Sequence, residues 1–408
     1  MRIFNRIILF ILSGMTLGCN TINTDCATYD GQCNLLLTYL LYNPVYELRD
    51  CELLASDSYA TWYTLLGSSD DDFVSDICGG RDRLFVTGST NGIVSSAQGV
   101  TPISGYPTSP PESKIMVASY GSGGNMNWFR IMGPAGSGQG STAIAATGDG
   151  GAVLLGNTAV DIPSIDGVTP LQSFQGSGEF IIIRFDKNGF VQWYTFFGGT
   201  GNDQPRDLIA TSDGGVLVCG TTSTNIPGYA GLSPILPFSN NDAIIVKFAS
   251  NGTPEWYTFL GTAGGITSCT GLYPFASNGY AFAGIASQDI TSLNGVTPVQ
   301  NHSSPGTNDI LLGRINNFGY VQWYTMLGAA LNQNASIIVA DADDNLYFGG
   351  GSNGNVASIG SVFPLLPYNS GTDPMFGKLN VSGQLLIYGF IGTASNKQAS
   401  GINIDRNG

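Results

Sequence analysis

The sequence predicts an all-β fold, a β-propeller of four-stranded blades, from three observations. A Trp-containing motif recurs about every 65 residues, the chain carries 57 Gly and 19 Pro, and its apolar runs are short. Many turns between short runs of β-branched and aromatic residues favour an all-β class, and a fixed period indicates a repeat architecture. Several runs are apolar on both faces, as a sheet packed between two neighbouring sheets requires.

The repeat is defined by the motif WYTxLG and its close variants. Copies begin at Trp62, Trp128, Trp193, Trp256 and Trp323, and a sixth copy without Trp, IYGFIG, begins at Ile387. A Pro follows each Trp by 40 to 42 residues, at Pro102, Pro170, Pro234, Pro298 and Pro364. A Gly also ends an apolar run 26 to 28 residues after each Trp. The shared register predicts that these residues occupy equivalent structural positions in every blade.

One period resolves into four strands, which the third copy illustrates. We expect strands at 207–210, 216–219, 243–248 and 255–260, joined by an Asp-Gly-Gly turn, a Pro-rich connection and an Asn-Gly turn. Residues 60–408 then hold five full blades, an orphan fourth strand at Trp62 and an incomplete C-terminal blade. Because the chain is expected to stop inside a repeat, the final blade number stays open.

This pattern resembles the SBBP-type bacterial β-propeller repeat. The shared features are WYTxLG, the Asp-Gly-Gly turn, the V-x-x-x-G-T-T segment and the third strand DAIIVKF, and they cover residues 60–408. The resemblance implies a propeller, for which seven blades are the family's nominal number. This chain departs from that number, because it has five full repeats. It implies no activity, because the family has no shared catalytic motif to transfer.

Residues 1–18 have the pattern of a secretion signal. Arg2 and Arg6 precede the apolar run 7–12, and small residues follow. The segment Thr16-Leu17-Gly18-Cys19 resembles a relaxed bacterial lipobox, which implies lipidation of Cys19; the alternative is an ordinary cleaved signal. Removing residues 1–18 changes the formal net charge from −14 to −16. This charge disfavours nucleic acid and anionic membrane surfaces as partners, so the lipid would provide the anchor.

An N-terminal Cys-containing segment, 19–59, separates the signal from the repeats. Two disulfide bridges among Cys26, Cys33, Cys51 and Cys78 are plausible in an exported protein, with connectivity left open. Cys219 and Cys269 lie within repeat strands and are expected to be buried thiols.

The sequence predicts no catalytic, cofactor or metal site. The single His, His302, lies in a polar stretch and is expected to be an exposed loop residue. Acidic clusters at 70–72, 186–189 and 341–345 fit turn chemistry better than Ca²⁺ binding. An acid recurs at the start of the third strand with a base five residues later, at Glu179/Arg184, Asp242/Lys247, Asp309/Arg314 and Asp373/Lys378. Their recurrence suggests polar contacts between blades rather than a single catalytic centre.

These observations predict an exported, lipid-anchored β-propeller lipoprotein of the cell envelope, at the outer membrane. It would act as a binding module for a protein or glycan ligand, on the rim that carries the long second-to-third connections. Two alternatives remain, an exported lyase or glycan hydrolase on a propeller scaffold and a purely structural envelope protein. The sequence identifies neither the ligand nor the membrane leaflet.

Overall fold

A computed structural model describes residues 7–11, 47–48, 51–52, 64, 66–80, 82–103, 113–133, 139–304, 306–329, 331–392 and 399–404. These residues form strands and turns with no helix, which confirms the all-β class. Twenty of the strands form five antiparallel four-stranded sheets, each built from consecutive strands of the chain. The repeat therefore corresponds to the blade.

The strands of the five blades follow the repeat along the chain. Blade 1 contains β4 (Asp72–Gly79), β5 (Arg83–Thr90), β6 (Lys114–Gly121) and β7 (Met126–Met132); blade 2 contains β8 (Gly140–Ala146), β9 (Ala152–Thr158), β10 (Glu179–Phe185) and β11 (Val191–Phe197); blade 3 contains β12 (Asp203–Ala210), β13 (Val216–Thr222), β14 (Asp242–Phe248) and β15 (Pro254–Leu260); blade 4 contains β16 (Thr267–Pro274), β17 (Tyr280–Ala286), β18 (Asp309–Ile315) and β19 (Val321–Leu327); blade 5 contains β20 (Gln333–Ala340), β21 (Leu346–Ser352), β22 (Asp373–Leu379) and β23 (Leu385–Phe390).

Every blade is an up-and-down meander with the first strand at one edge and the WYTxLG strand at the other. In blade 3, Val218 pairs with Leu208 on one side and with Val246 on the other, and Val246 pairs with Tyr257. All seven residues of β10 and of β14 are buried. A strand buried on both faces explains why these runs are continuously apolar rather than alternating.

The hydrophobic core lies between blades rather than within one of them. One apolar cluster joins Phe85 and Trp128 of blade 1 to Leu154 and Phe185 of blade 2, and the later junctions are filled in the same way. The first strand of each blade contacts the first strand of the next, from β4 through β20. The first strands therefore form the inner edge of a propeller-like succession of blades, with no closure detected between its described ends.

The described segments outside the five blades are short strands. β24 (Ala399–Ile404) contacts β20 as the first strand of a sixth blade and pairs antiparallel with β1 (Ile7–Ile11). β2 (Glu47–Leu48) pairs with β3 (Cys51–Glu52). Trp62 and Cys19 lie outside the described residues, and the described part of the predicted orphan strand, Thr64, Leu66 and Gly67, is not in a strand. No helix in the described ranges is long and apolar enough to cross a bilayer.

Candidate functional site

The repeated tryptophan joins each blade to the one that follows. In blades 1 to 3 its indole N–H donates to a backbone carbonyl in the next blade's turn between the third and fourth strands, whereas Nε1 of Trp323 has no hydrogen-bond partner among the described residues. The donors Trp128, Trp193 and Trp256 bond to the carbonyls of Lys187, Ser250 and Asn317 at 3.1, 2.9 and 2.8 Å. The Gly of the same turn lies against the ring, so that a Cβ on Gly252 would be 2.7 Å from Cδ2 of Trp193. We name this contact the Trp–Gly clasp.

The long second-to-third connection of each blade runs along the outer edge of its own sheet. In blade 3 the Tyr257 hydroxyl donates to the carbonyl of the buried Ile226 at 2.9 Å. The connection then reverses at Ala230 and Gly231, both with positive φ, in a two-residue turn. It returns through the repeated Pro, and the next residue, Ile235, donates its N–H to the carbonyl of Tyr257.

The same path recurs in the other blades, which explains most of the motif. The residues after the five half-buried prolines, Ile103, Leu171, Ile235, Val299 and Leu365, all donate to a fourth-strand carbonyl. These bonds cover the unpaired edge of the outermost strand, an edge that would otherwise be open to pairing with another chain. The middle of each connection is thus structural, and only its ends remain at the rim.

At that rim, the end of one blade's connection meets the start of the next blade. In blades 2 to 5, the residue at the start of the first strand, or just before it in blade 2, donates its N–H to the backbone carbonyl of the residue just before the preceding blade's third strand, as Asp203 does to Gly178 at 2.8 Å. We name the two side chains that flank this bond a rim joint. The four joints pair Lys114 with Gln139, Glu179 with Asp203, Asp242 with Thr267, and Asp309 with Gln333.

The recurring third-strand acids are buried and accept hydrogen bonds from the connection before them. Asp242 accepts from the N–H groups of Ser239 and Asn240, and Asp309 accepts from the N–H of Ser303. Burial raises the pKa of both carboxyl groups. These acids therefore fix the ends of the connections.

The Glu179–Asp203 joint is different because both of its side chains are carboxylic acids. Glu179 is 0% exposed and Asp203 is 1% exposed, and a Cβ on Gly198 would contact both. Oε2 of Glu179 and Oδ1 of Asp203 have no hydrogen-bond partner in the described part of the chain. Burial, reinforced by the negative charges of Asp203 and Asp161, raises the pKa of Glu179 to about 7. Two adjacent buried carboxyl groups cannot both ionise without a large cost in free energy.

The recurring bases contact turn residues, not the third-strand acids. Arg184, Lys247 and Lys378 pair with Asp149, Asp213 and Asp341 in their own blades' first-to-second turns. Arg314 pairs with Asp344 of the next blade, because its own turn has no Asp. The expected contacts between blades are therefore wrong for three of the four bases. These ion pairs form within a blade because the base, five residues after the acid, lies near the end of the third strand. That end is beside the first-to-second turn of the same sheet.

The prediction that His302 is exposed is also wrong. Its side chain is 1% exposed, and Nε2 lies 3.0 Å from the carbonyl of Ala286 and 3.1 Å from that of Thr307. Two carbonyl acceptors require a proton on Nε2. The imidazole therefore holds the long connection of blade 4 in place. The sequence does not indicate this role, because the partners of the imidazole are backbone carbonyls.

Every first strand contains a β-bulge near its start. The extra residues are Ser75, Thr142, Arg206, Thr270 and Ser336. The repeated second-strand Gly makes room for the bulge, because a Cβ on Gly220 would collide with the carbonyl oxygen of Gln204. A bulge redirects the side chain that it carries. In blades 4 and 5 the bulged hydroxyl bonds to the next blade, as Thr270 does to the carbonyl of Ala335 at 2.6 Å.

Arg206 is the one bulge residue of the five that is not a small hydroxyl. It is exposed, and its Nη2 donates to Oε1 of the exposed Gln204 at 2.9 Å. Since both faces of blade 3 are packed against neighbouring blades, the exposed side chains of its first strand lie at the inner edge of the succession of blades. We name Gln204 and Arg206, with the flanking bulge residues Thr142 and Thr270, the axial mouth. Sequence reasoning missed it, although superposing the first strands of the repeats would have shown one Arg among Ser and Thr.

The remaining candidates have structural explanations. Asp341 accepts the N–H groups of Asp343 and Asn345, and Asp186 accepts that of Asn188, so these acids confirm the predicted turn chemistry. No cluster of three metal-ligating side chains occurs within the described ranges. Cys219 and Cys269 are buried, as predicted. Cys26 and Cys33 lie outside the described residues, so the disulfide bridges stay a prediction, and Cys78 is buried. Its side chain packs in the apolar cluster between blades 1 and 2.

Comparison with known proteins gives distant similarities. No protein-family model matches the chain. The regulatory protein FlaEY of Caulobacter vibrioides is 25% identical over 164 residues, which are 40% of this chain and 17% of that protein. A mutant of the Synechocystis apocarotenoid oxygenase aligns with a TM-score of 0.36 at 11% identity, covering 77% of this chain and 62% of that one. The parainfluenza virus 5 hemagglutinin-neuraminidase ectodomain aligns with a TM-score of 0.23 at 11% identity, covering 83% and 84%. No statement about function follows from these matches.

Proposed function

We propose that the chain is an exported, lipid-anchored β-propeller protein of the cell envelope that binds a ligand at the axial mouth. The signal-like residues 1–18, the lipobox-like segment before Cys19 and the resemblance to SBBP repeats support export and anchoring. The observation that supports the binding role most strongly is that β12 carries Arg206 at the bulge position, where the other described first strands carry Ser or Thr. Residues that recur in every blade build the scaffold, whereas a ligand is recognised where one blade differs on an exposed surface.

The same surface lies beside the rim that carries the connection ends. β12 begins at that rim, where Ser223 of the blade 3 connection donates to the carbonyl of Asn202 at 3.1 Å. The opposite rim has only short turns, such as those at Gly214 and Gly252. A concave surface lined by several blades is the usual place for ligands in repeat folds.

Burial disfavours the alternative of an exported hydrolase or lyase. Glu179 and Asp203 form the one rim joint with two carboxyl groups, but both are sealed from solvent. A general acid must come within hydrogen-bond distance of its substrate, directly or through one water. The imidazole of His302 is similarly enclosed by backbone carbonyls.

A matched pair of blocking variants tests the binding role. Gln204→Trp places a bulky side chain in the axial mouth, and Lys187→Trp places the same side chain at an exposed position on the short-turn rim. The full mature chain would be applied to arrays of envelope glycans and peptides. We expect Gln204→Trp to reduce the wild-type signal by about tenfold or more, and Lys187→Trp to leave it unchanged. Equal signals from both variants, or loss with Lys187→Trp alone, would contradict the proposal.

A further inference from the structure

Arg206 and Lys187 are exposed cations without an ion pair among the described residues, and of these two Arg206 lies on the first strand of a blade. Arg83, Arg130, Arg184, Lys247, Arg314 and Lys378 each form an ion pair with an Asp. Arg206 has no ion pair among the described residues, and its hydrogen bond goes to the neutral amide of Gln204. In a chain with a formal net charge of −14, an exposed guanidinium without an acidic partner is a local site of positive charge.

The bulge positions that correspond to Arg206 in the two flanking blades carry neutral residues. Its strand lies between those of Thr142 and Thr270, which are partly exposed and occupy the same bulge position in the flanking blades. The bulge itself is held in place, because Asp207, the next residue, accepts the N–H of Leu272 in blade 4 at 2.7 Å. A guanidinium held by a neighbouring amide, on a strand flanked by two threonine-bearing strands, has the donor set that recognises a carboxylate or phosphate on a hydroxyl-bearing molecule.

We infer that Arg206 binds the oxyanion group of an acidic, hydroxyl-bearing ligand, with Gln204 orienting the guanidinium. This inference rests on the proposed function, because it assigns a ligand chemistry to the axial mouth. The fork of a guanidinium donates two parallel hydrogen bonds to a carboxylate or phosphate, and an ammonium group cannot reproduce this geometry. A neutral ligand of the same shape would lack the charge-assisted contact.

Selective labelling of arginine in the full mature chain gives a direct readout. The Nε–Hε resonance of Arg206 would be followed by NMR during titration with glucuronate, glucose 6-phosphate, inorganic phosphate or glucose. We expect a saturable shift with an oxyanion and none with glucose. Comparison of the first three probes distinguishes a carboxylate from a phosphate ester and from the free anion. A shift that grows linearly for every salt would show an adventitious ion only and would overturn the inference.

Variants at the same position provide the second readout. By calorimetry, Arg206→Gln should abolish binding of the best oxyanion probe, and Arg206→Lys should weaken it about tenfold because the paired hydrogen bonds are lost. The control Lys187→Gln removes one exposed positive charge on the opposite rim and should leave the affinity unchanged. Equal weakening by Lys187→Gln would show a general charge effect and would overturn the inference.

The two proposals fail in different ways. If Gln204→Trp abolishes array binding while Arg206→Gln does not weaken it, the mouth binds a ligand but not through an oxyanion. If Gln204→Trp has no effect, the mouth is not the binding surface, whatever the oxyanion titration shows.

Discussion

At the scale of single residues, the informative positions are those where one blade departs from the rest. Glu179, Asp203 and Arg206 lie on or beside the start of β12. An acid recurs at the position of Glu179, but no other described blade combines counterparts of all three residues. Two of them are buried acids and the third is an exposed base, so they affect different properties. The acids influence the stability of the junction between blades 2 and 3, and the base is available to a ligand.

The buried acid pair makes stability depend on pH. Burial raises the pKa of Glu179 from its ordinary value of 4.5 to about 7. Because the folded-state pKa exceeds the unfolded one, the stability that its proton supplies is complete below pH 4.5 and is lost as pH rises through about 7. Glu179→Gln removes this dependence, since its amide stays neutral. In urea unfolding, we expect the free energy of unfolding of the variant to exceed that of the wild type increasingly as pH rises through this window, by about 2 kcal/mol at its upper end.

Asp343→Asn is the control for that experiment. Asp343 lies exposed in the turn between β20 and β21, so the substitution removes the same charge from a solvated site. Its difference from wild type should change little across the same pH window. A difference between Glu179→Gln and wild type that does not vary with pH would refute the assignment of a buried proton to Glu179.

Residue roles were predictable only where the partner is local in sequence. The turn functions of Asp186 and Asp341 follow from their immediate neighbours, and they were predicted. His302 is buried because its imidazole contacts the carbonyl of Ala286, which is 16 residues away in sequence. Arg206 is exposed at a bulge that requires Gly220 on the neighbouring strand. Such contacts arise from strand pairing, which a linear pattern of residue types does not specify.

At the scale of elements, the repeat encodes strands, turns and the contacts between blades. The four strands predicted for the third copy match β12 to β15, with each observed strand extending one to four residues further. Periodicity and turn residues define strands well because both act over a few residues. The route of the long connection was not predictable, because it depends on a hydroxyl on the fourth strand and a carbonyl in the connection about 30 residues earlier, as for Tyr257 and Ile226.

The Trp–Gly clasp predicts a specific cost for filling a turn. Gly252 has φ of +81° and lies against the ring of Trp193. Gly214 has φ of +82°, and a Cβ on it would meet Cβ of Ser250 at an ordinary contact distance of 3.7 Å. Alanine at either site bears a similar backbone penalty of about 1 kcal/mol. Only Gly252→Ala also displaces an indole, so it should be less stable than Gly214→Ala by about 2 kcal/mol. Denaturant unfolding of both variants measures the difference; equal losses would show that the clasp contributes little.

At the scale of the whole molecule, the blades contact only their neighbours in the described succession. Blade 3 packs on blades 2 and 4, and β24 continues the series beyond blade 5. Stability in such an arrangement is approximately a sum of blade terms and junction terms. The propeller architecture was predictable from the repeat, because each blade needs a neighbour on both faces to bury its apolar surface.

The proposed location of the molecule in the cell envelope depends on lipidation of Cys19. Positive, apolar and small residues in that order precede the lipobox-like Thr16-Leu17-Gly18, and a strongly acidic protein gains little electrostatic attraction to an anionic bilayer. Mass spectrometry of the mature N-terminus should therefore find Cys19 as the first residue, carrying acyl chains. A Cys19→Ser variant should lack them and leave the membrane fraction. An unmodified Cys19 in the mature protein, or cleavage at another position, would show that the anchor is absent.

The account holds that a repeated scaffold presents one non-repeated surface, the axial mouth, to a ligand. A crystal structure of the full mature chain with glucuronate tests this most directly, because it locates the bound carboxylate. We predict that the carboxylate lies against the guanidinium of Arg206 on the axial side of β12. Glucuronate bound at Lys187 on the short-turn rim, with the axial mouth empty, would contradict the account.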